Sequence, residues 1–331
     1  MNKREAILSG VAAAAEALDS LDVRETVESG SRGNVDVFAA ILKMRAKLLF
    51  RPLEGLLGAC LIGPGVIIST ERPLPIQRFT GAHELGHVAM HHSFSLDGEE
   101  ILKGELLTET GEMEVQANAF AAEFMLPRWL LAYHARRQMW NGVSMESPLT
   151  VYQMSLRVGA SYEATIWALE KHQIISREVG QTLRKTQPRD IKRRMLPGYE
   201  PDNWYRDVWL LTGKDQGAVI EGQPDDLFLF QLNERTGGGF IWDFETLKNN
   251  GFAVVNDVRE YPDAKQGIGS DVTRKLTAHT PDALRGELHL QLKRPWDKTA
   301  SAFEELQMKY DLFGKEHGLP RAQRLEFAQL S

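Results

Sequence analysis

The chain has 331 residues, 43% of them hydrophobic and 25% charged, with a formal net charge of −6. This length exceeds one ordinary compact core and predicts two domains, in a composition typical of globular proteins. The acidic balance gives no global electrostatic case for nucleic-acid binding, the lone Cys60 excludes an intrachain disulfide and suits the cytoplasm, and no apolar run reaches the roughly 20 residues of a membrane span.

Residues 3–20 read as an amphipathic helix. The short apolar run Val11 to Ala15 is followed by Glu16 and Asp19, so the N-terminus does not read as a signal peptide. Residues 34–48 predict a second helix, with Asn34 as its N-cap. Gly and Pro then punctuate two apolar runs, 55–62 and 65–69, which read as strands of a small sheet. Cys60 lies in the first of these, a setting for a buried, inert thiol. Pro73 and Pro75 predict a turn, followed by helices from about Thr80 to His92 and from about Glu109 to Met125, the latter stopped by Pro127. Residues 148–175 read as short helices with a helix-turn-helix look, Gly159 making the turn and Ser161 capping the next helix. That second helix carries Glu163 and Glu170 and little basic charge, so a structural or substrate-facing role is favoured over direct nucleic-acid contact. The basic run from Arg184 to Arg194 predicts a solvated linker over 185–203. Beyond it, Leu227 to Leu232, Phe252 to Val255 and the strictly alternating Glu287 to Lys293 read as strands, as do Leu306, Met308 and Tyr310 in alternation. This is an all-β pattern, a sandwich.

His83-Glu84-Leu85-Gly86-His87 fits H-E-x-x-H. Histidines at i and i+4 share one helix face and can hold one zinc ion, with the intervening glutamate in reach of a zinc-bound water as general base. The five-residue match alone also fits two surface histidines. A catalytic zinc site needs a third protein ligand and an open position. The pattern with a third histidine six residues on fails, because Ser93 stands there and Met90 stands where it needs glycine. The next helix offers Glu114, with Asn118 one turn on to orient a ligand histidine and small Ala117 and Ala121 to let helices approach. Glu109 and Glu112 are the rival carboxylates, His91 a rival nearer the motif, and Tyr133 and His134 candidates for stabilising an oxyanion.

The stretch from Arg78 to His87, together with Glu114-Val-Gln-Ala-Asn-Ala-Phe-Ala-Ala and the step to Pro127, resembles the ImmA/IrrE family of zinc metallopeptidases over about residues 1–180. The resemblance implies His83, His87 and Glu114 as Zn2+ ligands, Glu84 as the base, and a gluzincin-like endopeptidase. It also implies a protein substrate, a helix-turn-helix transcriptional repressor in a stress or mobile-element response.

About residues 204–314 resemble the chagasin-like inhibitors of papain-like cysteine peptidases. Asn233-Glu-Arg-Thr236-Gly237, followed by Phe240-Ile-Trp242, matches their first loop except that Glu234 replaces proline and two residues are inserted. Arg294-Pro295-Trp296 matches a later loop, while a middle loop with Gly267 and Gly269 matches poorly. The resemblance implies an immunoglobulin-like sandwich and a papain-like cysteine peptidase as partner; Trp242 reads as core, Trp296 as core or contact.

The expected fold class is therefore multidomain α+β. A mainly helical zincin-like peptidase domain with a small sheet spans 1–184, including a helical subdomain at 148–180; the linker 185–203, the sandwich 204–314 and a tail 315–331 follow. The leading expectation is a cytoplasmic zinc endopeptidase with no membrane partner. The alternatives are a protease-binding module or a DNA-binding regulator.

Overall fold

The computed structural model describes residues 2–61, 63, 65–92, 95–97, 111–261, 272–282, 285–297 and 301–330. In chain order the elements are α1 (Lys3–Ser20), α2 (Val23–Glu28), α3 (Val37–Lys43), β1 (Lys47–Arg51), β2 (Gly58–Leu61), β3 (Gly65–Ser69), α4 (Leu74–Ala89), β4 (Ser95–Asp97), α5 (Glu112–Met125), α6 (Arg128–Arg137), α7 (Pro148–Val158), α8 (Tyr162–Lys171), α9 (Arg177–Arg184) and α10 (Pro188–Met195). There follow β5 (Val208–Leu211), β6 (Val219–Ile220), β7 (Leu227–Glu234), β8 (Ile241–Asp243), α11 (Glu245–Asn249), β9 (Ala253–Glu260), β10 (Val272–His279), β11 (Arg285–Lys293), β12 (Glu304–Asp311) and α12 (Arg321–Leu330). A helical region with a small sheet thus precedes a β-rich region. Among the described residues no helix is long and apolar enough to cross a membrane.

The chain forms two compact units, one made of Met1–Ala132, Val158–His172 and Gly314–Ser331, the other of Tyr133–Arg157 and Gln173–Phe313.

In the first unit the small sheet has the order β1-β3-β2-β4, with β1 and β3 parallel and the other pairs antiparallel. The helix expected over 34–48 is shorter, and its cap is Asp36, whose side chain accepts from the Ala39 N–H at 3.0 Å; Asn34 does not cap it. The remainder becomes β1 because burial there alternates, with Leu48 and Phe50 inward and Lys47 and Arg51 outward. Helix α4 starts at Leu74, well before the expected Thr80. Pro75 stands in its first turn, where a missing N–H costs nothing. Helices α4 and α5 pack closely at Gly86, where an added Cβ would lie 3.1 Å from the Ala117 Cα.

Residues after the sandwich return to this unit. Gly318 pairs with Phe50 at the edge strand β1 through N–H···O bonds of 2.8 and 2.9 Å. The buried Gln77 amide of α4 grips the Glu316 backbone both ways, donating to its carbonyl at 3.0 Å and accepting from its N–H at 2.8 Å.

Among the described residues the second unit holds two four-stranded sheets, β5-β7-β10-β9 and β6-β12-β11-β8. Their inward residues form one core, with Trp209, Phe230 and Leu276 from the first sheet and Leu290, Leu292 and Leu306 from the second. Trp242 is part of that core. Within the basic run read as a linker, α10 buries Ile191, Met195 and also Lys192. The Lys192 ammonium donates to the Trp204 and Arg206 carbonyls at 3.2 and 2.7 Å and pairs with Asp207 at 3.1 Å, so one cation of that run is a structural tie. In the first unit, the turn at Gly159 and the Ser161 cap of α8, whose hydroxyl accepts from the Ala164 N–H at 3.1 Å, lie where the sequence puts them.

Candidate metal centre

Helix α4 carries His83, Glu84 and His87, and all three side chains are buried. Helix α5 brings Glu114 against them from its first turn, where a carboxylate is favoured by the helix dipole. His83 Nε2 lies 3.1 Å from His87 Nε2 and 3.2 Å from Glu114 Oε2, and His87 Nε2 lies 3.6 Å from Glu114 Oε1. Zinc takes such donors at about 2.0–2.2 Å, which sets tetrahedral neighbours about 3.3 Å apart. The donor set and its spacing fit zinc. Among the described residues this is the group of three such side chains whose ligand atoms all lie within 4.8 Å of one another.

The two imidazoles converge through Nε2, and each has a partner on Nδ1. His83 Nδ1 meets Asn118 Oδ1 at 3.2 Å, and His87 Nδ1 meets His92 Nδ1 at 3.0 Å. His92 Nε2 in turn meets Gln116 Oε1 at 2.9 Å. Burial alone would raise the Glu114 carboxyl, but hydrogen bonds to His83 and His87 outweigh it and hold the group well below the usual carboxylate range. Burial, aided by His87, holds His92 below its ordinary value and so favours the neutral ring.

Strand β2 passes very near Glu84. A Cβ on Gly58 would stand 2.5 Å from Glu84 Oε1 and 2.5 Å from Thr80 Cγ2, an approach only glycine permits.

Of the rivals, Glu112 is exposed and outside the donor group, and Glu109 lies outside the described residues. His91 does not stay on the face of His87, because α4 has ended. His91 has φ +54° and the next N–H, that of His92, returns to the His87 carbonyl at 2.9 Å, closing a Schellman turn. His91 therefore faces solvent, and His92 folds back onto the site. Tyr133 and His134 belong to the second unit, where their rings meet edge-on. Of the adjacent pair His91 and His92, sequence reasoning argued only His91, and it passed over Gln116 and Gly58. Only a glycine at position 91 would have announced the turn that recruits His92.

In the second unit, Thr236 and Gly237 form a 3-10 turn with Gly238. Arg294 Nε donates to the Gly238 carbonyl at 2.9 Å and its guanidinium lies over Phe240 at 4.6 Å, so the two predicted loops meet. Trp296, next to Pro295, is 71% exposed and is not core. Glu234, standing where the inhibitor motif has proline, is fully buried and takes Arg259 at 2.8 Å, Arg274 at 3.0 Å and the Trp242 N–H at 3.0 Å. Gly267 and Gly269 lie outside the described residues.

Residues 35–169 match the family model Peptidase_M78, described as the IrrE N-terminal-like domain. Nine chains of solved structures match. One is the cysteine protease inhibitor EhICP2 from Entamoeba histolytica, 20% identical, with a TM-score of 0.30, covering 34% of this chain and 99% of its own. No curated protein matches the chain.

Proposed function

We propose that the first unit is a zinc-dependent, gluzincin-like endopeptidase, with His83, His87 and Glu114 as ligands and Glu84 as the general base. The observation that carries this reading is the convergence of two imidazole Nε2 atoms and one carboxylate, at zinc-like spacings, beside a buried glutamate. When bound, zinc polarises the scissile carbonyl and brings the pKa of its water toward neutrality. Glu84 takes a proton from the attacking water and returns it to the leaving amine nitrogen. Asn118 holds His83 by its Nδ1, leaving Nε2 directed at the metal position. The ImmA/IrrE resemblance points to a helix-turn-helix repressor as the substrate, and the lone cysteine suits a cytoplasmic reaction.

The test is metal dependence. Chelation is expected to abolish proteolysis of a repressor-type substrate, and zinc to restore it. Glu114→Ala is expected to weaken zinc by more than the 10–100-fold typical of an outer-shell loss. Zinc content unchanged in Glu114→Ala would remove Glu114 from the ligand set.

A second reading rests on the exposed end of the sandwich. There Trp296 is 71% exposed, Phe303 is 47% exposed, and the guanidinium of Arg235 covers the Phe303 ring at 4.4 Å. Exposed tryptophan and arginine are the residue types that dominate interfaces. The full chain is then expected to inhibit a papain-like peptidase, and Trp296→Ala to weaken that inhibition by about 10-fold or more. No inhibition at micromolar concentration would dispose of this reading.

A further inference from the structure

We propose that His92 and Gln116 form a relay that fixes the tautomer of His87 and so keeps its Nε2 free to bind metal. The inference rests on the zinc-site reading above and adds to it a positioning function for two residues.

The argument is one of donors and acceptors. A neutral imidazole has one protonated and one bare nitrogen. Ligation through Nε2 requires the His87 proton on Nδ1. His87 Nδ1 faces His92 Nδ1 at 3.0 Å, so His92 must present a bare Nδ1 to accept. That choice puts the His92 proton on Nε2. There it meets Gln116 Oε1 at 2.9 Å, an acceptor. Each proton thus has one consistent place along the line His87, His92, Gln116. The opposite direction would put a proton on His87 Nε2, at the point where His83 Nε2 and Glu114 converge.

The backbone holds the relay in place. The Schellman turn at His91 returns His92 to the last turn of α4, and the two rings meet at 5.0 Å between centroids and 70°. Gln116 is on α5, two residues after Glu114 and two before Asn118, so one helix supplies a ligand and the ends of both orienting chains. His83 has a one-step partner in Asn118. His87, nearer the end of α4, reaches α5 through an inserted ring.

The experiment is zinc affinity by chelator competition on the full chain. His92→Phe keeps a ring but removes the acceptor, and is expected to raise the zinc Kd about 10–100-fold. His92→Asn sets an amide oxygen near the place of Nδ1 and is expected to recover most of that loss. In zinc-loaded wild type, 15N spectra are expected to show His92 protonated on Nε2 and bare on Nδ1, a signature that simple packing would not fix. His92 protonated on Nδ1, or His92→Phe binding zinc as wild type does, would overturn the relay alone. A wild-type chain that binds no zinc would overturn the metal-site reading, and the relay with it.

Discussion

Glu84→Gln is expected to bind zinc as the wild type does and to lose peptide hydrolysis by about 10²–10⁴-fold, the usual worth of a positioned general base. The two side chains share shape and volume, and Glu84 lies outside the group of three donors. Packing in a fully buried site beside Gly58 should therefore survive the exchange. What changes is proton chemistry, because an amide cannot take the proton from water and hand it to the leaving nitrogen. The loss should fall on kcat, with KM little moved, since Glu84 is asked to act in the transition state rather than to hold substrate. Metal content, a thermal melt and steady-state rates on one cleavable protein would report the three quantities together. Wild-type rates in this variant would end the assignment of Glu84. Loss of metal together with activity would make it a ligand instead, the behaviour expected of Glu114→Ala.

Much of this site is legible because helices write their faces into sequence at fixed spacing. His83 and His87 are one turn apart, as are Glu114 and Asn118, so each helix could be read on its own. The small-residue crossing was legible too, since Ala117 sits against Gly86. What the sequence hides depends on contacts with no periodic signature. His92 reaches His87 only because a non-glycine residue, His91, adopts a left-handed conformation. Gly58 matters only because β2 passes Glu84. In the fold, 47–51 joins a run of helix formers and shows its strand character only through the partner β3. The tail returns to Gln77 across 239 residues, a separation no local pattern bridges. The basic run misled for a related reason. Charge marks it as solvated, yet Lys192 finds two carbonyls and a carboxylate and is buried with them.

The largest expected loss of stability lies in the second unit, at Arg157→Met. Arg157 and Asp215 form an ion pair at 2.8 Å with side chains 5% and 0% exposed. Asp215 also accepts from Gln138 Nε2 at 2.6 Å and the Thr212 N–H at 2.8 Å, while Arg157 donates to the Leu210 carbonyl at 2.9 Å. Beside them the Gln153 amide donates to the Val208 carbonyl at 2.7 Å and accepts from the Leu210 N–H at 2.8 Å, acting as a strand on the open edge of β5. In the first unit Gln77 grips the returning tail in the same two-way manner, through the Glu316 carbonyl and N–H. Removing the guanidinium leaves the Asp215 charge buried against neutral donors alone and frees a strand carbonyl. Breaking a buried pair in this way costs about 3–5 kcal/mol. The comparison is Arg206→Met, whose pairing with Asp225 is 3.7 Å long and 44% exposed on the carboxylate side. A long, partly exposed pair of that kind contributes about 0–1 kcal/mol. Urea unfolding of the full chain, followed by tryptophan fluorescence, separates the two, because Arg157 lies 5.5 Å from the Trp140 ring and 6.0 Å from that of Trp209. Equal midpoints for the two variants would mean that the Arg157–Asp215 pair does not hold the helix to the edge strand.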